Sequence, residues 1–190
     1  MVLHVTVHSR EKKGVAEHLG RYLESLFGRG LFELSEVVEA YPEQVCVNDL
    51  VETLGSYAGS EFNVFLVKEM RVREPYFQYG FMERWKVRTL RGGSYSQGIA
   101  VVYDGYPDEK VAKLAVHELI AEMGWNFNRR LGVGHDRYGV YDCILSHRGD
   151  PGVKLCDKCS VLASHGEELA SYLKEKGKKY LRERQFRKTT

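Results

Sequence analysis

The passage Val116-His117-Glu118-Leu119-Ile120-Ala121-Glu122-Met123-Gly124 decides how this chain is read. It sits within a stretch from about Pro107 to Arg130 that predicts one long helix. Ala112, Val116, Ile120, Met123 and Phe127 recur at helical spacing and form its core stripe. His117 lies off that stripe, with Ala121 and Gly124 beside it on the same face. Two small residues there let another segment, or a metal with its ligands, come close. A glycine inside a helix costs about 1 kcal/mol relative to alanine, so Gly124 implies a packing reason. Glu118 and Glu122 stand four residues apart and repel mildly, with no basic residue three or four positions away. Each asks for solvent, a partner elsewhere or a role.

Just upstream, Ile99 to Tyr103 is a short apolar run that reads as a buried strand, turned by Asp104-Gly105. Val2 to Val7 alternates and is β-branched, as a strand should be. Ser9 is expected to cap a helix carrying Val15, His18, Leu19, Tyr22, Leu23 and Leu26 on one side, ended by Gly28 and Gly30. Leu31 to Ala40 reads as a second strand. Pro42 opens a shorter helix, with Cys46 on it as a buried small residue, closed by Gly55. Phe62 to Val67 is another buried strand. The last helix runs from about Val161 to Phe186, bent near Gly177. This order predicts a single α/β domain over residues 1–190, with a mixed sheet and flanking helices. Cys143, Cys156 and Cys159, with His135 and His147, are expected to make residues 135–160 a zinc-bound loop segment, and with the helix and basic tail of 161–190 a small zinc-bound C-terminal portion.

The 190 residues are 43% hydrophobic and 28% charged, the profile of a globular protein and not a disordered one. A formal net charge of +2 sets up no global field toward nucleic acid or membrane. No run of 18 apolar residues predicts a membrane span, and Met1 to Arg10 lacks the apolar stretch of a signal peptide. The expected location is cytoplasmic, where four cysteines that include a C-x-x-C pair point to metal chemistry more than to disulfides.

Cys156-Asp157-Lys158-Cys159 is that pair, and it lets two thiolates grip one ion from a tight turn. Cys143 and His147 precede it by a turn-forming insert containing Gly149, Asp150, Pro151 and Gly152. The expected structural zinc site is therefore Cys143, His147, Cys156 and Cys159. His135, Asp136 and Asp142 are alternatives for the fourth ligand. Metal would substitute for core in a segment that has few apolar residues.

These residues together resemble the archaemetzincins, within the zincin metallopeptidases, over roughly residues 100–160. The family pattern is a helix with H-E-x-x-H-x-x-G-x-x-H, then cysteines, a C-x-M turn and a closing C-x-x-C. His117 and Glu118 match its opening pair, Gly124 its glycine, Cys143-Ile144-Leu145 its C-x-M element, and Cys156 with Cys159 its closing pair. The resemblance implies a zincin-like active-site helix, zinc as cofactor and a peptide or protein substrate. Glu118 would be the general base acting on zinc-bound water. Ala121 and Phe127 depart from the pattern where the second and third zinc histidines would stand, and Leu145 replaces the methionine. A catalytic zinc would then need His117 with ligands from outside the helix. His135 comes first, with Asp136 or Glu122 as a third. Loss of the catalytic metal, with the fold and the structural zinc kept, is the other outcome. A strand bordering the cleft in such an arrangement would set Arg88, Arg91 or Tyr95 near a substrate.

Residues 71–98 carry a second reading. Arg71, Arg73, Arg84, Lys86, Arg88 and Arg91 interleave with Tyr76, Phe77, Tyr79, Phe81, Trp85 and Tyr95. On a strand, Arg84, Lys86 and Arg88 share one face and Trp85 and Val87 the other. Such a surface suits nucleic acid or a protein partner, and the basic residues from Lys174 to Lys188 add a second patch. The bland alternative is a set of solvated charges. The glycine- and serine-rich loop from Arg91 to Gly98 could cradle an anion, but it lacks the lysine and spacing of a P-loop and reads better as a hairpin.

Overall fold

The computed structural model describes residues 2–11, 13–78, 81–135, 142–146 and 154–189. Among them are eight strands: β1 Leu3–Ser9, β2 Phe32–Val38, β3 Gln44–Cys46, β4 Phe62–Val67, β5 Glu69–Gln78, β6 Phe81–Leu90, β7 Gly93–Ser96 and β8 Ile99–Tyr103. The α-helices are α1 Val15–Phe27, α2 Leu50–Leu54, α3 Asp108–His117, α4 Trp125–Arg130, α5 Val161–Ser164 and α6 Gly166–Thr189.

A five-stranded mixed sheet runs in the order β2-β1-β4-β8-β7, parallel except for the edge strand β7. The continuous apolar runs of β4 and β8 arise because both faces of these strands are buried. Phe62, Val64, Leu66, Ala100 and Val102 point to the layer holding α1, α3 and α6. Phe65, Val67, Ile99 and Val101 point the other way, onto Tyr41, Leu50 and Leu54. The order departs from a simple winding because β7 folds back on β8 through Gln97-Gly98. Both residues have positive φ, 47° and 80°, as a two-residue hairpin turn of type I′ requires. A second sheet, β3-β5-β6, carries a long antiparallel ribbon, β5 with β6.

Three local expectations are corrected. Ser9 ends β1 instead of capping a helix, and α1 starts after Gly14. Pro42 is followed by β3, a turn of 3-10 helix and only then α2, so Cys46 is a half-buried strand residue. The break in the last helical region falls at His165, and α6 continues through Gly177. A Cβ at Gly177 would come within 2.5 Å of the Glu61 Cβ, so this glycine serves close packing, not a bend.

The long helix is also not uniform. Between α3 and α4, Glu118–Met123 winds as a π-helix, closed by Gly124 N–H donating to Leu119 O at 3.2 Å. Asn128 Nδ2 donates to the Ile120 carbonyl at 2.7 Å. A Cβ at Gly124 would sit 2.3 Å from that same carbonyl oxygen, which is the packing reason the sequence implied. From α6, Lys174 Nζ donates to Val2 O (2.6 Å), and Arg184 donates to Gln97 O (2.6 Å) and Ser60 O (3.0 Å). Among the described residues no helix is long and apolar enough to cross a membrane.

Candidate metal centre and the adjacent cleft

Three chain segments deliver four soft donors to one point. After α4, Gly132 and Gly134 take φ values of 67° and 122°, where other residues are strained, and swing His135 inward. Cys143 opens a tight turn in which Ser146 N–H donates to Cys143 O at 2.9 Å. Cys156 precedes the 3-10 turn Asp157–Cys159 and Cys159 ends it, with Cys159 N–H donating to Cys156 O at 2.9 Å. The ligand atoms of His135, Cys143, Cys156 and Cys159 all lie within 4.8 Å of one another. His135 Nε2 stands 3.4 Å from Cys156 Sγ and 3.5 Å from Cys159 Sγ. A tetrahedral zinc with Zn–S near 2.3 Å and Zn–N near 2.0 Å has N···S edges of about 3.5 Å, so the donor set fits that ion.

The electrostatics agree. Burial pushes the Cys159 thiol up to about 12, even though the Gly134 backbone bonds to it. Burial also raises Cys143. Burial pushes Cys156 the same way but is outweighed by hydrogen bonds, first from the Cys159 backbone, and its pKa is lowered. All the cysteines are free thiols. Buried thiols become thiolates readily only against a cation, and a bound metal is such a charge. Of the anticipated fourth ligands, His135 stands with the sulfurs, while His147 and Asp136 lie outside the described residues. Asp142 is exposed, 3.7 Å from Lys154 Nζ.

A cleft of 430 Å³ opens between β7 and the start of the π-helix, lined by Arg91, Tyr95, Lys110, His117, Glu118, Glu122 and Ser146 among others. His117 Nδ1 donates to Ile144 O at 2.7 Å, which fixes the orientation of the ring. The same short turn thus supplies Cys143 to the cysteine cluster and Ile144 to the cleft histidine. Glu118 is 5% exposed. Burial, reinforced by the Glu122 carboxylate, raises its pKa to about 8, so at neutral pH it is mostly protonated. Gly93 makes room for it: a Cβ there would meet Glu118 Oε1 at 2.3 Å. Gly93→Ala is expected to displace the Glu118 side chain and destabilise the fold by about 1–3 kcal/mol, read from the urea midpoint. An unchanged midpoint would show that the two elements are not in contact.

Arg91 and Tyr95 line this cleft, whereas Arg88 lies on the exposed β6 and pairs with Glu74 at 2.8 Å. Ala121 faces the core, 3% exposed, and Phe127 packs on Tyr172 at 5.6 Å between ring centroids. Among the described residues, the His135 group is the one set of three or more metal-binding side chains found close together. Lys110 and Ser146 carried no sequence signal. Gly92 and Gly93 lay in the glycine- and serine-rich stretch that reads as a hairpin, and β7 and β8 form that hairpin.

No protein-family model matches the chain, and no curated protein matches it. Among solved structures it is similar to a zinc-dependent peptidase from Methanocorpusculum labreanum (strain Z). The identity is 14% and the TM-score 0.42, over 86% of this chain and 100% of that one.

Proposed function

We propose that this chain is a zinc-binding protein of zincin-like build, related in its motifs to the archaemetzincins. One structural zinc sits at His135, Cys143, Cys156 and Cys159, and a divergent cleft binds an extended peptide. The convergence of those four donors within 4.8 Å carries the reading. Those four residues would hold the ion, which would tie the chain after α4 to the turn before α5.

The cleft residues act without that ion. β7 is an edge strand, and a peptide laid beside it can take up backbone hydrogen bonds. Protonated Glu118 donates a hydrogen bond to a carbonyl instead of removing a proton from water. His117 is held in one orientation by its hydrogen bond to Ile144 O. With Ala121 and Phe127 in place of the second and third histidines of the peptidase motif, the helix offers one imidazole where that chemistry uses three.

Zinc stoichiometry of the purified chain tests this. One equivalent is expected, lost in Cys156→Ser and kept in His117→Ala. Two equivalents, one of them lost in His117→Ala, would overturn the divergent-cleft reading in favour of a hydrolase.

A further inference from the structure

We propose that the cleft takes the C-terminal end of a peptide, laid antiparallel to β7 with its terminal carboxylate against Arg91; this rests on reading the cleft as a peptide site. The backbone phase of β7 sets the frame. Ser96 stands opposite Ile99 across the two-residue turn, and Tyr103 N–H donates to Gly92 O at 2.9 Å. Bonded residues alternate in an antiparallel ladder, so Gly92, Ser94 and Ser96 direct their N–H and C=O groups at β8. Gly93 and Tyr95 turn theirs to the open edge. An antiparallel partner meets each with a matched pair of bonds, slightly more stable per residue than parallel pairing. Such a partner runs from the Ser96 end of β7 toward the Gly93 end. Its C-terminus then comes to the residues just before β7.

The positive charge lies at that end. Arg91 is exposed at the rim of the cleft, its guanidinium carbon 6.0 Å from the centre of the Tyr103 ring. Among the described residues this guanidinium meets no carboxylate. The Tyr103 and Tyr106 rings are 5.3 Å apart, edge to face, and Lys110 Nζ stands 4.2 Å from the centre of the Tyr106 ring. This row of cation, ring, ring and cation runs from the strand wall to the helix wall, so both cations mark one end of the cleft.

The carboxyl groups lie further along. A short turn, 104–107, joins β8 to α3, so the helix runs back along the sheet in the direction of β7. Glu118 lies against Gly93, and Glu122 is roughly three turns on from Lys110. The charge lining the cleft thus passes from positive to negative in the direction of β7. An antiparallel peptide brings its carboxylate to the positive end, whereas a parallel one would bring its ammonium group there. A guanidinium suits the carboxylate because two parallel N–H donors can take both oxygens. A side-chain carboxylate would answer to the charge alone. The chain end answers to charge and strand direction together.

The zinc-loaded full chain is to be titrated, by fluorescence anisotropy, with an N-terminally labelled peptide of about six residues alternating threonine and valine. The peptide is supplied as the free acid and as the C-terminal amide. The free acid is expected to bind at least about tenfold more tightly, and Arg91→Gln to abolish that preference. An amide whose last residue is glutamate is expected to bind less tightly than the free acid. With a nitroxide at the peptide N-terminus, the amide resonances of Ser96 and Gln97 are expected to broaden more than those of Gly92 and Gly93. Arg91 is exposed, and circular dichroism checks that the variant remains folded. Four results would each overturn the proposal: equal binding of acid and amide, a preference that survives Arg91→Gln, a glutamate amide as tight as the free acid, or broadening centred on Gly92 and Gly93. Each of these leaves the cleft standing as a peptide site. Absence of saturable binding by either peptide would bring down that reading as well.

Discussion

Cys159→Ser is expected to lower the thermal midpoint of the zinc-loaded protein by roughly 8–16 °C. At free zinc about a thousandfold above the dissociation constant, a metal bound only by the folded state contributes about 4 kcal/mol. In a chain of this size each kcal/mol moves the midpoint by about 2–4 °C. Cys159 is wholly buried within the cluster, so its loss removes a ligand and leaves a hydroxyl where a sulfur packed. Chelation of the unaltered protein separates these causes, since it removes metal alone. The wild-type midpoint is expected to fall with chelator and to rise with added zinc, and the variant to ignore both. Identical melting with and without chelator would mean that the four donors hold no ion that matters to folding.

Glu118→Gln is expected to change how stability depends on pH. The folded state raises this carboxyl from 4.5 to about 8, so the folded chain holds its proton more tightly than the unfolded chain does. The stability it lends is therefore complete below about pH 4.5, drains as pH rises, and is gone above about pH 8. A displacement of that size corresponds to roughly 5 kcal/mol across the window. Glutamine keeps the shape of the protonated acid and has no charge to bury. The variant is expected to match wild type near pH 4.5 and to be the more stable by several kcal/mol at pH 8 and above. Urea denaturation at a series of pH values reads the difference. Parallel curves for the two proteins would mean that water reaches the Glu118 carboxylate.

The parts of the fold legible in the sequence are those where burial imposes a period. Strands β1, β4 and β8 declare themselves through apolar runs between packed layers, and α1 through its four-residue stripe. The ribbon β5–β6 did not, because both its faces meet solvent and no apolar period marks it. The π-helix was equally hidden. Its residues are as apolar as an ordinary helix core, and only Gly124 and Asn128 betray the extra turn. At the metal centre the three cysteines were plain from their spacing. The position of His135 was not, because it depends on two left-handed glycines that no spacing rule weighs. Arg91 and Tyr95 line the cleft because β7 runs beside the helix. Arg88 lies away from it, because β6 ends at Leu90 and belongs to the other sheet.

The clasp made by α6 sets an order on how a growing chain can finish. Lys174 grips the start of the first strand, and Arg184 the hairpin that walls the cleft, across separations of 172 and 87 residues. On the ribosome, β1 and the β7–β8 hairpin emerge long before the helix that ties them. The nascent sheet must wait with its seams unsealed until the positions around 184 have cleared the exit tunnel.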